Sequence, residues 1–177
     1  GTYTEPSTDK TTCNGDGNSA MDSLAVSANE HFRFWQHLAN AGLIEGSFSG
    51  VRGPNNANQA VIGFNVPASK LSSAGWSVSK FNASNLTASS SWPTIDYDSH
   101  FIMGGELLNY ETGKAVLLPA EAYTIDKKID DGMPAQGRVT VNVPCTNSTD
   151  ARELTAAYLL NTDEILCSIR FPKSLSY

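Results

Sequence analysis

Basic residues are scarce in this chain. Lys and Arg number 12 against 18 Asp and Glu, for a formal net charge of -6. The densest basic run is one pair, Lys127-Lys128. A nucleic-acid groove or a polybasic membrane patch needs far more, so the sequence indicates neither. No stretch of about 18 apolar residues occurs, so no segment reads as a membrane-spanning helix. Charged residues make up only 17% of the chain, whereas Ser, Thr, Asn and Gly are abundant. That balance points to a loop-rich, β-containing exported protein rather than a cytosolic helical enzyme. An initiating Met and a signal peptide are also missing. The chain opens on a polar, turn-rich run, Gly1 to Asn18, which predicts that something upstream has been removed by processing or truncation.

Cysteine is sparse and odd in number: Cys13, Cys145 and Cys167. In an exported protein this predicts one pair and one leftover. Cys145 and Cys167 bracket a C-terminal segment and are the expected disulfide, which by loop entropy would add roughly 3 kcal/mol. Cys13 would then have its partner in a missing N-terminal part. Three free buried thiols in a reducing compartment are the alternative.

At 177 residues the chain is long enough for one domain with a real core. Residues 1–19 read as loop and 20–41 as helix. Ser27-Ala28-Asn29-Glu30 is a capping box, and Ala28, Phe32, Trp35 and Leu38 or Ala39 mark an apolar stripe. Gly42 ends the helix, with Leu43-Ile44 tucking back. Met21 and Leu24 extend the spacing upstream. Residues 60–64 form a short apolar run, stopped by Pro67. Strands are expected at 76–81, 100–104, 138–143 and 165–171, the last two within a C-terminal strand region, 137–171. In 138–143 the Val residues face one way and the polar residues the other. The order of helix, strands, short helix, strands predicts an α+β fold with an antiparallel sheet.

The segment Leu118 to Gly132, in which a short helix is expected over 118–131, carries its own start and stop. Pro119 suits the first helical position, Glu121 complements the helix dipole, and Ala122, Ile125 and Ile129 share a face. Gly132 can take a left-handed cap. Asp130 and Asp131 break the rule, because the dipole at a helix C-terminus repels carboxylates. They require a cation, donors from a neighbouring loop, or solvation.

Catalytic signatures do not assemble. Gly46-Ser47-Phe48-Ser49-Gly50 has Phe48 where a nucleophile elbow needs Ser, and Gly105 to Lys114 lacks the spacing of a phosphate loop. His31 and His37 are too far apart along the helix to share a metal and read as helix-surface or interface residues. Two oxygen-rich sets suit calcium, the one cofactor the sequence suggests. One is Asn14, Asp16, Asn18 and Asp22; the other is Asp126, Asp130 and Asp131. Salt bridges or backbone N–H contacts are the competing explanation for the second. Trp35, Trp76 and Trp92 with Tyr97, Tyr110 and Tyr123 suit either a sugar-stacking platform or core packing, the latter preferred for Trp35 and Trp76. Sequons stand at Asn82, Asn85 and Asn147.

Four stretches together resemble the soluble domain of bacterial type IV pilin-like proteins, related to the major pseudopilin of type II secretion. They are Cys13 to Asn18, Phe32 to Gly46, Leu118 to Gly132, and the Cys145 to Cys167 closure. Residues 51–116 match only in style. The resemblance implies a pilin-like globular domain whose N-terminal hydrophobic helix is absent from this chain. It also implies a precursor anchored in the inner membrane facing the periplasm and cut by a prepilin peptidase. The subunit then packs with other pilin or pseudopilin subunits, through inner-membrane assembly machinery, into a filament at the cell surface. In that family Cys145–Cys167 would staple the C-terminal strands, and the loop after the first helix and Asp130-Asp131 would be subunit contacts. A secreted binding domain for a carbohydrate, a surface or calcium is the alternative.

Overall fold

The computed structural model describes Met21 and residues 30–55, 58–81, 87–95 and 98–172. The predicted 1–19 loop, the capping box start, Cys13, the Asn14–Asp22 oxygen set, Tyr97, Asn82 and Asn85 lie outside these residues. The first described helix, α1, spans Glu30–Asn40, so of the predicted 20–41 helix only this part is observed. Its end follows the sequence. Leu43 N–H donates to Leu38 O and Gly42 N–H to Ala39 O, both at 2.9 Å, the paired bonds of a Schellman cap with Gly42 at positive φ. Ile44 packs back on the core, but Leu43 stays 71% exposed.

Four strands follow α1 directly or after the second helix: β1 Gly75–Phe81, β2 Asp98–Leu107, then β4 Thr140–Val141 and β5 Ile169–Pro172. They form an antiparallel sheet in the order β1-β2-β5-β4. Strand β3, Tyr110–Lys114, hairpins back on the far end of β2 across a register shift between Gly105 and Leu107. The second helix, α2, spans Pro119–Ile129. This is the predicted α+β class with an antiparallel sheet.

Register fixes the two faces. Trp76 pairs with Met103 and Val78 with Phe101, and Phe101 and Met103 pair with Phe171 and Ile169. These apolar side chains share one face. Helix α1 lays Phe32 and Trp35 on it, in a cluster with Phe48, Ala60, Val66 and Val78. Burying Phe32 alone stabilises by about 2 kcal/mol. Further along the same face Met103, Val141 and Ile169 join Leu117, Ala122, Tyr158 and the half-cystines.

The other face departs from the usual antiparallel pattern, in which alternating polar residues meet water. Ser77, Ser79, Thr140 and Arg170 are all buried. The β3 hairpin folds over this face. Thr112 donates its N–H to Ser77 Oγ at 3.0 Å, and its hydroxyl lies 3.0 Å from Ser77 Oγ and 3.1 Å from Ile102 O. Gly104 permits this approach, since a Cβ there would meet Gly113 and Lys114 backbone at about 3 Å.

The last two predicted strands are shorter than expected, for a visible reason. Asn142 substitutes side chain for backbone, donating to Leu166 O at 2.8 Å and accepting from Ser168 N–H at 2.7 Å. Val143 then donates to Ser91 O, and Pro144 lies in a 3-10 turn, Val143–Cys145. The 60–64 run is a turn closed by an Ile62–Val66 bridge rather than a strand. Strand β3 went unpredicted, because Tyr110-Glu111-Thr112-Gly113-Lys114 carries too little apolar alternation to read as one.

The Cys145–Cys167 disulfide forms, with 4.9 Å between Cα atoms. Replacing both by Ser should lower unfolding free energy by roughly 3 kcal/mol. Denaturant titration with and without dithiothreitol checks this, since reductant should shift the wild type to the variant's midpoint and leave the variant unchanged. Thr112→Val should cost about 1–2 kcal/mol through the lost bonds of its hydroxyl, read in the same titration.

Candidate functional site

Helix α2 starts as the sequence predicts. Pro119 occupies the first turn, and Glu121 Oε2 accepts from Leu118 N–H at 2.9 Å. Leu118 has no polar side chain to reciprocate, so only half of a capping box exists. Along the helix the apolar face is narrower than predicted. Ala122 is fully buried and Ile125 packs on the core, but Ile129 is 45% exposed. The position one turn after Ala122 belongs to Asp126, which has no exposed surface.

Asp126 is the centre of a polar knot. Its Oδ2 accepts from the Tyr158 hydroxyl at 2.7 Å, and its Oδ1 from Gly132 N–H at 3.2 Å. Tyr158 is buried, with its ring edge-on to Tyr123 at 5.5 Å. Asp131 Oδ1 accepts from Met133 N–H at 2.7 Å, and Lys127 Nζ reaches Asp131 O at 3.2 Å. Asp130 Oδ2 accepts from Arg138 N–H. Gly137 makes room for it, because a Cβ there would strike the Asp130 carboxylate. Both Gly132 and Gly137 have positive φ, which glycine adopts without strain.

The two carboxylates at the wrong helix end are thus explained by donors from the following loop. Three successive acids of α2 and its cap each hold one N–H of residues 132–138. Carboxylate oxygens of Asp126, Asp130 and Asp131 lie within 4.8 Å of one another. The structure therefore gathers the second predicted calcium set and gives each member a hydrogen-bonding role of its own.

Burial is the main cause of a raised Asp126 pKa, about 6 against an ordinary 3.8. Tyr158 and Gly132 pull it down, and Asp131 and Asp130 push it up. Burial and the Asp126 contact also raise the Tyr158 pKa, so its hydroxyl stays a donor. At the surface, Asp150 pairs with Arg152 at 2.7 Å, and the Arg152 hydrogen bonds lower the Asp150 pKa to about 2.

Other candidates scatter. His31 is not a helix-surface residue but is buried, its ring 3.9 Å from that of Phe32; His37 is exposed. Trp35 is core and Trp76 packs on both apolar clusters, as preferred. Tyr123 packs on Tyr158. Trp92 and Tyr110 are apart from these, Trp92 lying under the Arg170 guanidinium. Sequence reasoning missed Tyr158. Its signal was the small-apolar run Ala156-Ala157-Tyr158-Leu159-Leu160 inside an otherwise polar loop.

No family profile, no curated protein and no solved structure matches this chain.

The knot makes stability depend on pH. Between about 4 and 6 the folded Asp126 keeps a proton that the unfolded chain has released. Stability from this group therefore falls as pH rises through that window and is level above it, by about 3 kcal/mol in all. Asp126→Asn should remove that slope. Unfolding free energies of both proteins at pH 4.5 and pH 7 check this: the difference between them should grow in the variant's favour toward pH 7.

Proposed function

We propose that this domain is the globular head of a filament subunit of the type IV pilus or type II secretion pseudopilus kind, built for packing and not for catalysis. The observation that carries the reading is the bond between Tyr158 and Asp126. Tyr158 lies inside the Cys145–Cys167 closure, and Asp126 inside the Leu118–Gly132 motif. Two of the four stretches behind the pilin resemblance are therefore joined into one unit by a buried hydrogen bond. Leu117 adds to it by bridging to Cys167. A third stretch, Phe32 to Gly46, supplies α1, laid on one face of the antiparallel sheet.

The dense polar groups of this unit hold loops, which suits a subunit that must keep its shape under load. Exposed apolar side chains at Leu43, beyond α1, and Ile165, inside the closure, offer contact points for neighbouring copies. The proposed partners are copies of the same subunit or related pilins, with inner-membrane assembly machinery and a prepilin peptidase acting on the precursor.

The test is the N-terminus and intact mass of the native protein recovered from source membranes or filaments. The expected result is a methylated N-terminal residue followed by a long apolar helix ahead of Gly1. A mature end near Gly1 made by an ordinary signal peptidase overturns the filament reading.

A further inference from the structure

One sequon, Asn147-Ser148-Thr149, lies wholly within the described residues, just past Cys145 on the rim of the disulfide closure. A sequon supplies an amide and, two positions on, the hydroxyl that transfer of an oligosaccharide to asparagine requires, with no Pro between them. Asn147 and Thr149 are both exposed.

The fold holds the Asn147 side chain by one end. Asn147 N–H donates to Ala157 O, and Ala157 N–H donates to Asn147 Oδ1, both at 2.9 Å. A bridge between Thr146 and Tyr158 and a bond from Leu159 N–H to Cys145 O extend this pairing. The Asn147 Nδ2 takes no part in it among the described residues. Two buried asparagines give the contrast. Asn65 donates from Nδ2 to Val51 O and Gln59 O while Oδ1 accepts from Val61 N–H. Asn142 spends Nδ2 on Leu166 O and Oδ1 on Ser168 N–H. Each has Pro two positions on, Pro67 and Pro144, in place of a hydroxyl.

An acceptor in a folded glycoprotein must turn its nitrogen to solvent and keep whatever bond the fold needs. Both conditions meet at Asn147. On transfer, a bond forms between Nδ2 and the anomeric carbon of the sugar. The bond from that carbon to the pyrophosphate oxygen of a lipid-linked oligosaccharide breaks. Nδ2 releases one proton and the lipid pyrophosphate leaves. The side-chain carbonyl survives, so Oδ1 still accepts from Ala157 N–H. The adjacent turns survive too, because Ser148 N–H donates to Thr146 Oγ1 at 3.2 Å and Asp150 N–H to Ser148 Oγ at 3.1 Å, and neither bond uses the amide. The Cys145–Cys167 disulfide fits the same setting. Disulfides persist in the ER lumen, the bacterial periplasm and at cell surfaces, the side of the membrane on which lipid-linked oligosaccharides are transferred.

We propose that Asn147 is an N-glycosylation site that takes its glycan from a lipid pyrophosphate-linked oligosaccharide. The site does not rest on the filament reading, since a filament head and a free-standing domain would present it alike.

Fragmentation mass spectrometry of the native protein tests it, on the peptide that spans Asn147. The expected result is a series of sugar mass increments on the Asn147 side chain. Made in the same source, Asn147→Asp and Thr149→Ala should both lose the increments, and Thr149→Ser should keep them. Both losing variants should fold, because Asp still accepts from Ala157 N–H and Thr149 is exposed. An unmodified Asn147 in the native protein overturns the proposal, as do increments that survive either losing variant. A sugar at Asn147 on a chain whose mature end lies near Gly1 would sink the filament reading and leave this one standing.

Discussion

Much of the C-terminal half hangs on one buried hydrogen bond, from the Tyr158 hydroxyl to the Asp126 carboxylate. A carboxylate without exposed surface is costly to ionise. The chain retains one because its two oxygens do different work. One fastens the loop inside the disulfide closure. The other accepts from Gly132 N–H and so turns the chain at the end of α2. Removing either partner leaves a buried polar group unmatched, so helix, turn and closure depend on one another. The disulfide acts in the same place from the unfolded side. It restricts the chain between residues 145 and 167 before folding, whereas the Tyr158–Asp126 bond decides where that restricted loop lands.

Charge at the end of α2 follows the same logic. Asp130 and Asp131 sit where the helix dipole disfavours them, and their charges help to raise the Asp126 pKa. Each recovers that cost by accepting a backbone N–H from the loop, at Arg138 and Met133. Lys127 adds a cation near the last carbonyls through its contact to Asp131 O. The arrangement orders a loop that carries Gly132, Pro134 and Gly137, together with the buried Ala135 and the bond from Val141 N–H to Pro134 O. In a filament subunit such a loop would be a defined contact surface instead of a fluctuating one.

Sequence and structure agree most closely where the governing interaction is local. The Gly42 cap, Pro119 and Glu121 at the start of α2, and the Phe32–Trp35 stripe all depend on neighbours within a few positions, and periodicity reveals them. The anomaly at Asp130-Asp131 was legible as an anomaly, and loop donors were among its predicted answers. What settled the matter was a partner at residue 138, which no helical rule marks. Tyr158 finding Asp126 is a contact 32 positions apart, set by how the closure folds back. His31 failed for a related reason. Its place in the helix pattern was known, but the number of surfaces packed around α1 was not. The cover over the polar face was beyond reach altogether, because it is made by β3, and β3 has a strand's partners without a strand's composition.

The polar face of the sheet shows why such departures persist. Buried serines, threonines and an arginine stabilise a sheet less than valines would, and they oblige the fold to satisfy every donor and acceptor. They also make register nearly unambiguous. A slip of one position in β1 would turn Ser77 and Ser79 toward Phe32 and Trp35, and would drive Trp76 and Val78 under the β3 hairpin. The first change buries hydroxyls in an apolar cluster. The second strands Thr112, whose N–H donates to Ser77 Oγ. Asn142 adds the same constraint at the other edge, since its amide matches Leu166 O and Ser168 N–H in a single alignment of β4 against β5. A buried apolar face already penalises a one-position slip, and the bonded polar face opposite adds the loss of its hydrogen bonds.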